Sequence, residues 1–400
     1  MKKEKFIKKV FDETNSINEP WIMNVNLDES YKDPLNGELL SAEYIWSQQQ
    51  NKRDELLIRI FNMLRTKQFE DIIPKLSIKE LKNKYQNLIN SDYNSVFDIK
   101  NNEIVNSNAI CTDVLKHFCG DLFYSTTGDQ KNAHSCREIF NNDEKLIKVL
   151  KNRMGYRISK EDGKERPYVF SLSDKMIFQG MRSSGLAHST STFKPMLARF
   201  IVGSKEINNT NGDLIFDYSS GWGARALGVG SLNKRYFGID PLTYKHVNNM
   251  LEFYKINGKV FNGGSENKDS YKELEELNLK NKFNLCFSSP PYFTLEKYSD
   301  QITQSTNLYS TYNDWLNYYW RNTVNNCIDY VLTKTDRTFI LIMVEKYKKY
   351  NLINDMVKIC EESGLKLNKV YNIRTSKSHL SGKVKLESKT KNTEKILIFK

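Results

Sequence analysis

Cysteine, histidine and long apolar runs are all sparse in this sequence. Its 6 cysteines are scattered along 400 residues, and none of them forms a CxxC pair. That spacing indicates neither a zinc site nor a disulfide framework. The 5 histidines are dispersed as well. The sequence therefore predicts no metal site.

Membrane-directed segments are missing from the sequence too. No apolar run approaches the roughly 20 residues that a membrane-spanning helix needs. The first residues, MKKEKFIKKVFDE, are charged throughout and contain no apolar segment of the kind found in a secretory signal. We therefore expect a cytoplasmic protein with no membrane partner.

Positive charge is what the sequence has in excess. The formal net charge is +12, and a basic balance suits a polyanionic partner, most simply nucleic acid. Two lysine-rich stretches, Lys346–Lys349 and Lys377–Lys395, are candidates for phosphate contacts. A solvated lysine-rich surface explains any single one of these lysines equally well.

The first 175 residues have mainly helical patterns. Leu56, Leu57, Ile60, Phe61 and Leu64 recur at helical spacing. A second helix follows at 77–89, where the serine and the glutamate three residues later form a capping box. Such a pair of helices is either a helical hairpin or a DNA-reading pair. We expect residues 1–175 to be a mostly helical region that can serve in target recognition, with a boundary within 160–185.

Residues 176–400 alternate between strand-like and helix-like segments, which favours a doubly wound parallel sheet with an antiparallel end. Glycines and prolines separate the segments. The predicted strands are residues 214–217, 236–240, 259–261, 283–287, 338–344, 367–373 and 396–399.

Three features fall at the carboxyl ends of predicted strands, the edge at which open α/β sheets bind ligands. A glycine turn that contains Ser219, Gly221 and Gly223 follows Asp217. Asp240 ends the second strand, where a carboxylate can accept hydrogen bonds from ribose hydroxyls. The sequence SSPPYF occupies 288–293, and its two prolines make a stiff turn. Each feature alone has a structural explanation, so the prediction depends on their combination.

This combination resembles the S-adenosylmethionine-dependent DNA amino-methyltransferases, whose catalytic motif is Asp, Asn or Ser followed by Pro-Pro-Tyr or Pro-Pro-Phe. The resemblance covers about residues 185–400 and implies a Rossmann-like methyltransferase sheet. It places the glycine turn, Asp217 and Asp240 around S-adenosylmethionine. The helix that Phe193-Lys194-Pro195 opens matches the segment that packs beside the cofactor. Ser265 or Glu266 stands where the family often has an acidic residue near the adenine ring.

For the catalytic turn, the resemblance implies a division of roles. An exocyclic amine is a poor nucleophile, and positive charge develops on its nitrogen as it attacks a methyl group. The Ser289 hydroxyl and the Pro290 carbonyl are expected to accept hydrogen bonds from that amine. Pro291 keeps the turn rigid, and Tyr292, with Phe293 in reserve, is expected to stack on the base. A base inside a duplex cannot reach such a site, so double-stranded DNA must present it flipped out.

Serine at 289 resembles the cytosine-N4 members more than the adenine-N6 members. Only about 65 residues separate Gly223 from Ser289, which resembles the family's gamma-type arrangement and leaves target recognition to the N-terminal region or late loops. The expected function is site-specific DNA methylation, as in restriction-modification, and a nuclease partner remains open. The alternatives are adenine-N6 methylation, RNA base methylation and a catalytically silent DNA-binding protein.

Overall fold

The structure is a computed structural model that describes residues 30–41, 44–45, 48–106, 108–127, 134–154, 157–158, 165–166, 172–188, 190–208, 210, 212–344, 349–374 and 394–400. A helix expected near 6–11 lies outside these ranges, as do 168–171 of an expected strand. The same holds for 346–348 and 377–393 of the lysine-rich stretches.

The chain divides into two compact units. Residues 1–75 and 130–189 form the first, and residues 76–129 and 190–400 form the second. The chain passes from one unit to the other at 75/76, 129/130 and 189/190, and the boundary predicted within 160–185 lies nearest to the last of these. Residues 76–129 belong to the second unit, although the sequence assigns them to the helical N-terminal region.

Helices precede, separate and follow the strands along the chain. The α-helices of the described residues are α1 Gln50–Arg65, α2 Ile78–Asn90, α3 Thr112–Phe118, α4 Cys136–Asn141, α5 Asp143–Arg153, α6 Asp174–Ser183, α7 Pro195–Gly203, α8 Ala224–Gly230, α9 Tyr244–Tyr254, α10 Lys272–Glu276, α11 Ser305–Leu308, α12 Tyr312–Asp314, α13 Arg321–Asn326 and α14 Leu352–Glu362. Shorter 3-10 turns lie at Phe69–Ile72, Tyr93–Val96, Gly120–Tyr124, Lys268–Tyr271 and Phe293–Leu295, and π-helical turns lie at Trp315–Trp320 and Cys327–Val331. None of the helices within the described ranges has the length and apolar character needed to cross a membrane.

The strands are short and mostly follow the predicted segments. They are β1 Phe97–Asp98, β2 Glu103–Val105, β3 Thr126–Thr127, β4 Arg157–Ile158, β5 Glu165–Arg166, β6 Leu214–Asp217, β7 Arg235–Ile239, β8 Gly258–Phe261, β9 Leu285–Ser288, β10 Glu296–Lys297, β11 Thr338–Val344, β12 Leu367–Arg374 and β13 Glu394–Phe399.

Among its described residues, the first unit consists mainly of helices, with the short β4–β5 hairpin and two isolated bridges. The apolar stripe predicted for α1 is buried at Leu56, Leu57, Ile60 and Leu64, as helical spacing requires. Helices α1 and α2 belong to different units, so neither a hairpin nor a DNA-reading pair forms from them within one unit. The capping box at the start of α2 is present, with the Ser77 hydroxyl accepting from the backbone N–H three residues on.

The second unit is built on a 9-stranded sheet in the order β1-β2-β12-β13-β11-β9-β6-β7-β8. Strands β6, β7, β8, β9 and β11 pair in parallel, and β13 runs antiparallel between β11 and β12. This confirms the Rossmann-like doubly wound α/β sheet with an antiparallel end. The hairpin of β1 and β2 extends the sheet, because β2 pairs in parallel with β12.

One face of this sheet packs against the helical segment from 312 to 331 and against α14. Trp315, Trp320, Phe216, Phe339 and Leu341 are buried there in a single cluster. Burial of each large apolar side chain contributes about 2 kcal/mol. The packing fixes the strands whose carboxyl ends carry the predicted site.

Candidate functional site

The glycine turn connects β6 to α8 at the carboxyl edge of the sheet. Gly221 and Gly223 adopt φ values of +53° and +82°, the left-handed region that glycine adopts without a steric penalty. A Cβ atom on Gly223 would also lie 2.4 Å from Cε of Met250. Ser220 anchors the turn to β7 through its backbone N–H, which lies 2.9 Å from the Ile239 carbonyl oxygen.

Asp217, the last residue of β6, has a fully buried side chain. Its Oδ1 accepts from the Ser288 hydroxyl at 2.7 Å and the Ser219 N–H at 3.1 Å. Its Oδ2 accepts from Nε of Arg225 and Oη of Tyr236, both at 2.6 Å. We predicted a cofactor contact for this carboxylate. The structure shows no exposed part of it, because four donors hold it in place, so Asp217 supports the turn from within.

Asp240 follows β7 and holds the turn from the other side. Its Oδ2 lies 2.9 Å from the Gly221 N–H, and its Oδ1 lies 2.9 Å and 2.7 Å from the N–H groups of Leu242 and Thr243. Burial raises the pKa of this carboxyl, and the three backbone donors oppose that shift. The side chain is half-buried, so part of it remains exposed while it caps the turn.

The loop after β8 brings a second acidic group to the same edge. Ser265 is 3% exposed and its hydroxyl lies 2.9 Å from that of Thr323, which leaves little of it for a ligand. The neighbouring Glu266 is half-buried, and burial raises the pKa of its carboxyl. Its charge acts on Tyr319, whose hydroxyl lies 3.3 Å from Oγ of Ser219. Of the two candidates at this position, Glu266 is therefore the one that presents an accessible polar group.

The SSPPYF segment lies directly beside the glycine turn. Ser288 ends β9 and is fully buried, and its hydroxyl contacts the Asp217 carboxylate and, at 3.2 Å, the Ser219 carbonyl oxygen. The two turns are adjacent because β6 and β9 are neighbouring parallel strands. Ser289 is half-buried, and its Oγ lies 2.6 Å from Oη of Tyr292. The catalytic candidate is thus the accessible serine of the pair.

Both aromatic rings of the segment are more buried than expected. Tyr292 is 6% exposed and Phe293 is 4% exposed. The Phe293 ring packs among Tyr312, Trp315 and Tyr350, with centroid distances of 5.5, 5.9 and 5.7 Å. Its φ of +51° is unusual for a non-glycine residue and indicates a strained backbone held by its surroundings. Phe293 therefore fixes the turn rather than offering a free stacking face. Of the two prolines, Pro290 is buried and Pro291 is half-buried.

Two carboxylates that the sequence reasoning missed lie near Tyr292. Glu394 is the first residue of β13, and its Oε1 lies 3.4 Å from Oη of Tyr292. Glu296, on β10, accepts a hydrogen bond from the Tyr298 hydroxyl. Burial raises the pKa of both carboxyls. The pairing of Glu394 with β11, opposite Val344, explains why it reaches this edge.

Helix α7 lies against the helix that follows the glycine turn. A Cβ on Gly228 of α8 would lie 2.6 Å from both Cβ of Ala198 and the Pro195 carbonyl oxygen, so the backbones approach closely. Lys194 is half-buried and caps α7 with its carbonyl oxygen, and the preceding Phe193 ring lies 5.1 Å from the Arg225 guanidinium. Lys194 therefore begins the helix that packs against α8, and its contact with a cofactor stays a prediction.

The sequence gives only weak indications that Arg225 and Glu394 belong to the site. Arg225 is the only charged residue of ARALGVG, a short helix that is otherwise small and apolar. An arginine in such a setting indicates a buried partner. Glu394 begins an apolar strand after a lysine-rich stretch, and no local pattern links it to a turn about 100 residues earlier.

The sequence matches no protein-family model and no curated protein. Among solved structures, this chain is similar to a TehB-like SAM-dependent methyltransferase from Corynebacterium glutamicum, at 11% identity over 56% of this chain and 92% of the other, with a TM-score of 0.31. An S-adenosylmethionine-dependent methyltransferase from Clostridium acetobutylicum is 14% identical over 50% of this chain and 89% of the other, with a TM-score of 0.32. A SAM-dependent methyltransferase from Agrobacterium tumefaciens is 8% identical over 54% and 64%, with a TM-score of 0.35. At these scores the similarity is loose, and the geometry of the sheet edge carries the functional argument.

Proposed function

We propose that the chain transfers a methyl group from S-adenosylmethionine to the exocyclic amine of a flipped-out DNA base, with cytosine N4 as the favoured acceptor. One observation carries the proposal. The hydroxyl of Ser288, which immediately precedes Ser289, is hydrogen-bonded to both Asp217 and Ser219, so an acceptor at the catalytic serine stands beside the glycine turn.

The residues along this edge fit the proposed cofactor. Gly221 and Gly223 hold a tight turn with left-handed backbone, and the lack of side chains at these two positions lets a ligand approach the backbone closely. Asp240 is placed for ribose hydroxyls, and Glu266 offers a second carboxylate. Bound S-adenosylmethionine would supply an electrophilic methyl group on a positively charged sulfur. Half-buried carboxylates complement a ligand of that charge.

The acceptor side has the features that an amine requires. Ser289 and the Pro290 carbonyl provide oxygen acceptors on a stiff turn, so little reorganisation is needed as positive charge develops on the nitrogen. The nearby Glu296 and Glu394 add negative charge. An anionic acceptor, such as a carboxylic acid, would be repelled by this set.

Less aromatic surface is available for stacking on the base than the sequence predicts. The Phe293 ring is enclosed by three aromatic side chains, so we assign it a supporting role. Tyr292 is 6% exposed, so little of its ring can contact a base. Recognition of DNA by residues 1–175 stays part of this proposal.

Methyl incorporation tests the proposal. Unmethylated duplex DNA, single-stranded DNA and structured RNA are each incubated with the full chain and S-adenosylmethionine labelled in the methyl group. We expect label in DNA and its absence from RNA. Label in RNA alone would show that the substrate is RNA and not DNA. Label in none of the three would favour a silent binding protein.

A further inference from the structure

A chain of hydrogen-bonding groups leads from the catalytic serine to a carboxylate on another strand. Oγ of Ser289 lies 2.6 Å from Oη of Tyr292. That Oη lies 3.4 Å from Oε1 of Glu394 and 3.4 Å from the Ile342 carbonyl oxygen. Three side chains from two separate segments thus form one continuous path.

The ionised form of Glu394 sets the direction of the protons in the path. An ionised carboxylate and a carbonyl oxygen can only accept hydrogen bonds, so Tyr292 is the donor in its contacts with Glu394 and Ile342. Tyr292 then has only its oxygen lone pairs left for Ser289, which must be the donor. With its own proton directed at Tyr292, the Ser289 oxygen can only accept on its remaining side. An amine N–H is the complementary partner.

Resting on the proposed function, we infer that Ser289, Tyr292 and Glu394 form a proton path that removes the proton released by the methylated amine. The nitrogen lone pair forms a bond to the methyl carbon as the carbon–sulfur bond breaks, and the sulfonium becomes a neutral thioether. In the same transition state, the nitrogen becomes cationic and gives a proton to the Ser289 oxygen. The Ser289 proton passes to Tyr292, and the Tyr292 proton passes to Glu394. Charge and atoms balance, and Glu394 ends protonated.

The surroundings of Glu394 suit a terminal proton acceptor. Burial raises the pKa of its carboxyl, and the hydrogen bond from Tyr292 lowers it. The titratable groups that the structure places near it are Tyr292, from the turn after β9, and Glu296, from β10. Because the side chain is half-buried, it can return the proton to solvent between turnovers.

A double-mutant cycle tests this path. Tyr292→Phe removes the middle hydroxyl, and Glu394→Gln keeps the size of the end group but removes its charge. Proton transfer of this kind contributes about 100-fold or more to a rate. We expect each variant to lower the single-turnover rate on unmethylated duplex DNA by about 100-fold and the double variant to be no slower. Binding of S-adenosylmethionine should not change. Glu362→Gln, an exposed carboxylate paired with Arg321, is the matched control and should keep the rate.

The pH dependence separates a proton path from a structural role. Glu394 must be ionised to accept, so the wild-type rate should rise with pH through the pKa of Glu394, and this rise should vanish in Glu394→Gln. In the protein without ligand, infrared difference spectra of the carboxyl band should show that Tyr292→Phe raises the pKa of Glu394.

The outcomes are distinguishable from failure of the proposed function. If the wild-type chain transfers no methyl group, both proposals are overturned. If the wild type is active and Glu394→Gln keeps its rate and its pH profile, only the proton path is wrong. Multiplicative losses in the double variant would also overturn it, since they would show that the two groups act independently.

Discussion

At the scale of single residues, the site depends on a division of labour between side chains that support the turn and side chains that meet ligands. Asp217 and Arg225 are both buried and paired at 2.6 Å. A buried pair of this kind is retained only when its remaining hydrogen bonds are satisfied, and Ser288, Ser219 and Tyr236 supply them for the carboxylate. The resemblance to the amino-methyltransferases implies a place for Asp217 around S-adenosylmethionine. Its carboxylate is paired with the buried Arg225 of α8, eight residues further along the chain, and this pairing gives Asp217 a supporting role.

Ser289→Ala is the residue-scale prediction. It removes one acceptor from the amine while leaving Ser288, and so the link to the glycine turn, intact. Removal of a preorganised hydrogen-bonding group from a transition state costs about 100-fold to 1,000-fold in rate. We expect a loss of that size in single-turnover methyl transfer, with S-adenosylmethionine affinity by calorimetry unchanged.

The control for this variant is Ser91→Ala, which removes a hydroxyl at the exposed end of α2 and should leave the rate at the wild-type level. A Ser289→Ala protein with full activity would remove the serine from the reaction.

At the scale of elements, the sequence predicted the sheet and the adjacency of the two turns, because parallel strands present their carboxyl ends at one edge. It placed the strand before SSPPYF at 283–287, whereas β9 is Leu285–Ser288, so the buried Ser288 was taken as part of the turn. The enclosure of Phe293 was not predictable, since Tyr312 and Tyr350 reach it from distant segments. No local periodicity encodes such contacts.

Close packing of α7 on α8 supports the element-scale prediction. The Cβ added by Gly228→Ala would meet backbone as well as side-chain atoms, so the helices must separate. Overpacking of this kind costs about 1–3 kcal/mol in the free energy of unfolding. Because α8 follows the glycine turn directly, we also expect weaker S-adenosylmethionine binding. Urea denaturation and calorimetry measure the two effects.

Asn87→Ala on the exposed face of α2 is the matched helix substitution. It should change the free energy of unfolding by about 0.5 kcal/mol or less. If Gly228→Ala were as stable as this control and bound the cofactor normally, the contact between the helices would not shape the site.

At the scale of the whole molecule, the basic excess of the chain contrasts with the acidic groups of the site. The chain carries a formal net charge of +12, whereas the site contains four carboxyl groups whose pKa is raised by burial, Asp240, Glu266, Glu296 and Glu394. The basic excess suits a nucleic acid, and the acidic edge suits a cationic methyl donor. The composition shows the basic excess directly, whereas the acidic edge forms only when folding brings distant carboxyl groups together.

The assignment of residues 76–129 to the second unit could not be predicted from the sequence. Phe97 of β1 stacks on Phe200 at 5.6 Å and meets Tyr371 at 6.0 Å, which ties this stretch to the second unit. Strands of two and three residues are too short to show an alternating pattern. The polar composition around them gave no sign that they extend the sheet.

Proton linkage provides the prediction at this scale. A bound sulfonium cation favours the ionised form of nearby carboxyls, so binding must lower the raised pKa values of Asp240 and Glu266 and release protons. The affinity for S-adenosylmethionine should therefore rise with pH between the bound and free pKa values. Calorimetry over a pH series, in buffers of different ionisation enthalpy, measures both the affinity and the proton release.

S-adenosylhomocysteine, which lacks the sulfonium charge, is the control ligand and should show a smaller pH dependence. Equal pH dependence for the two ligands would show that the carboxylates do not respond to the cationic sulfur.

The central claim is that an amine held at Ser289 receives a methyl group from a donor at the neighbouring glycine turn. Mass spectrometry of nucleosides from unmethylated duplex DNA, after incubation with the full chain and isotope-labelled S-adenosylmethionine, tests it most directly. The account predicts labelled N4-methyldeoxycytidine. Labelled N6-methyldeoxyadenosine would keep the site and change the base, whereas DNA without any labelled nucleoside methylated on an exocyclic amine would contradict the claim.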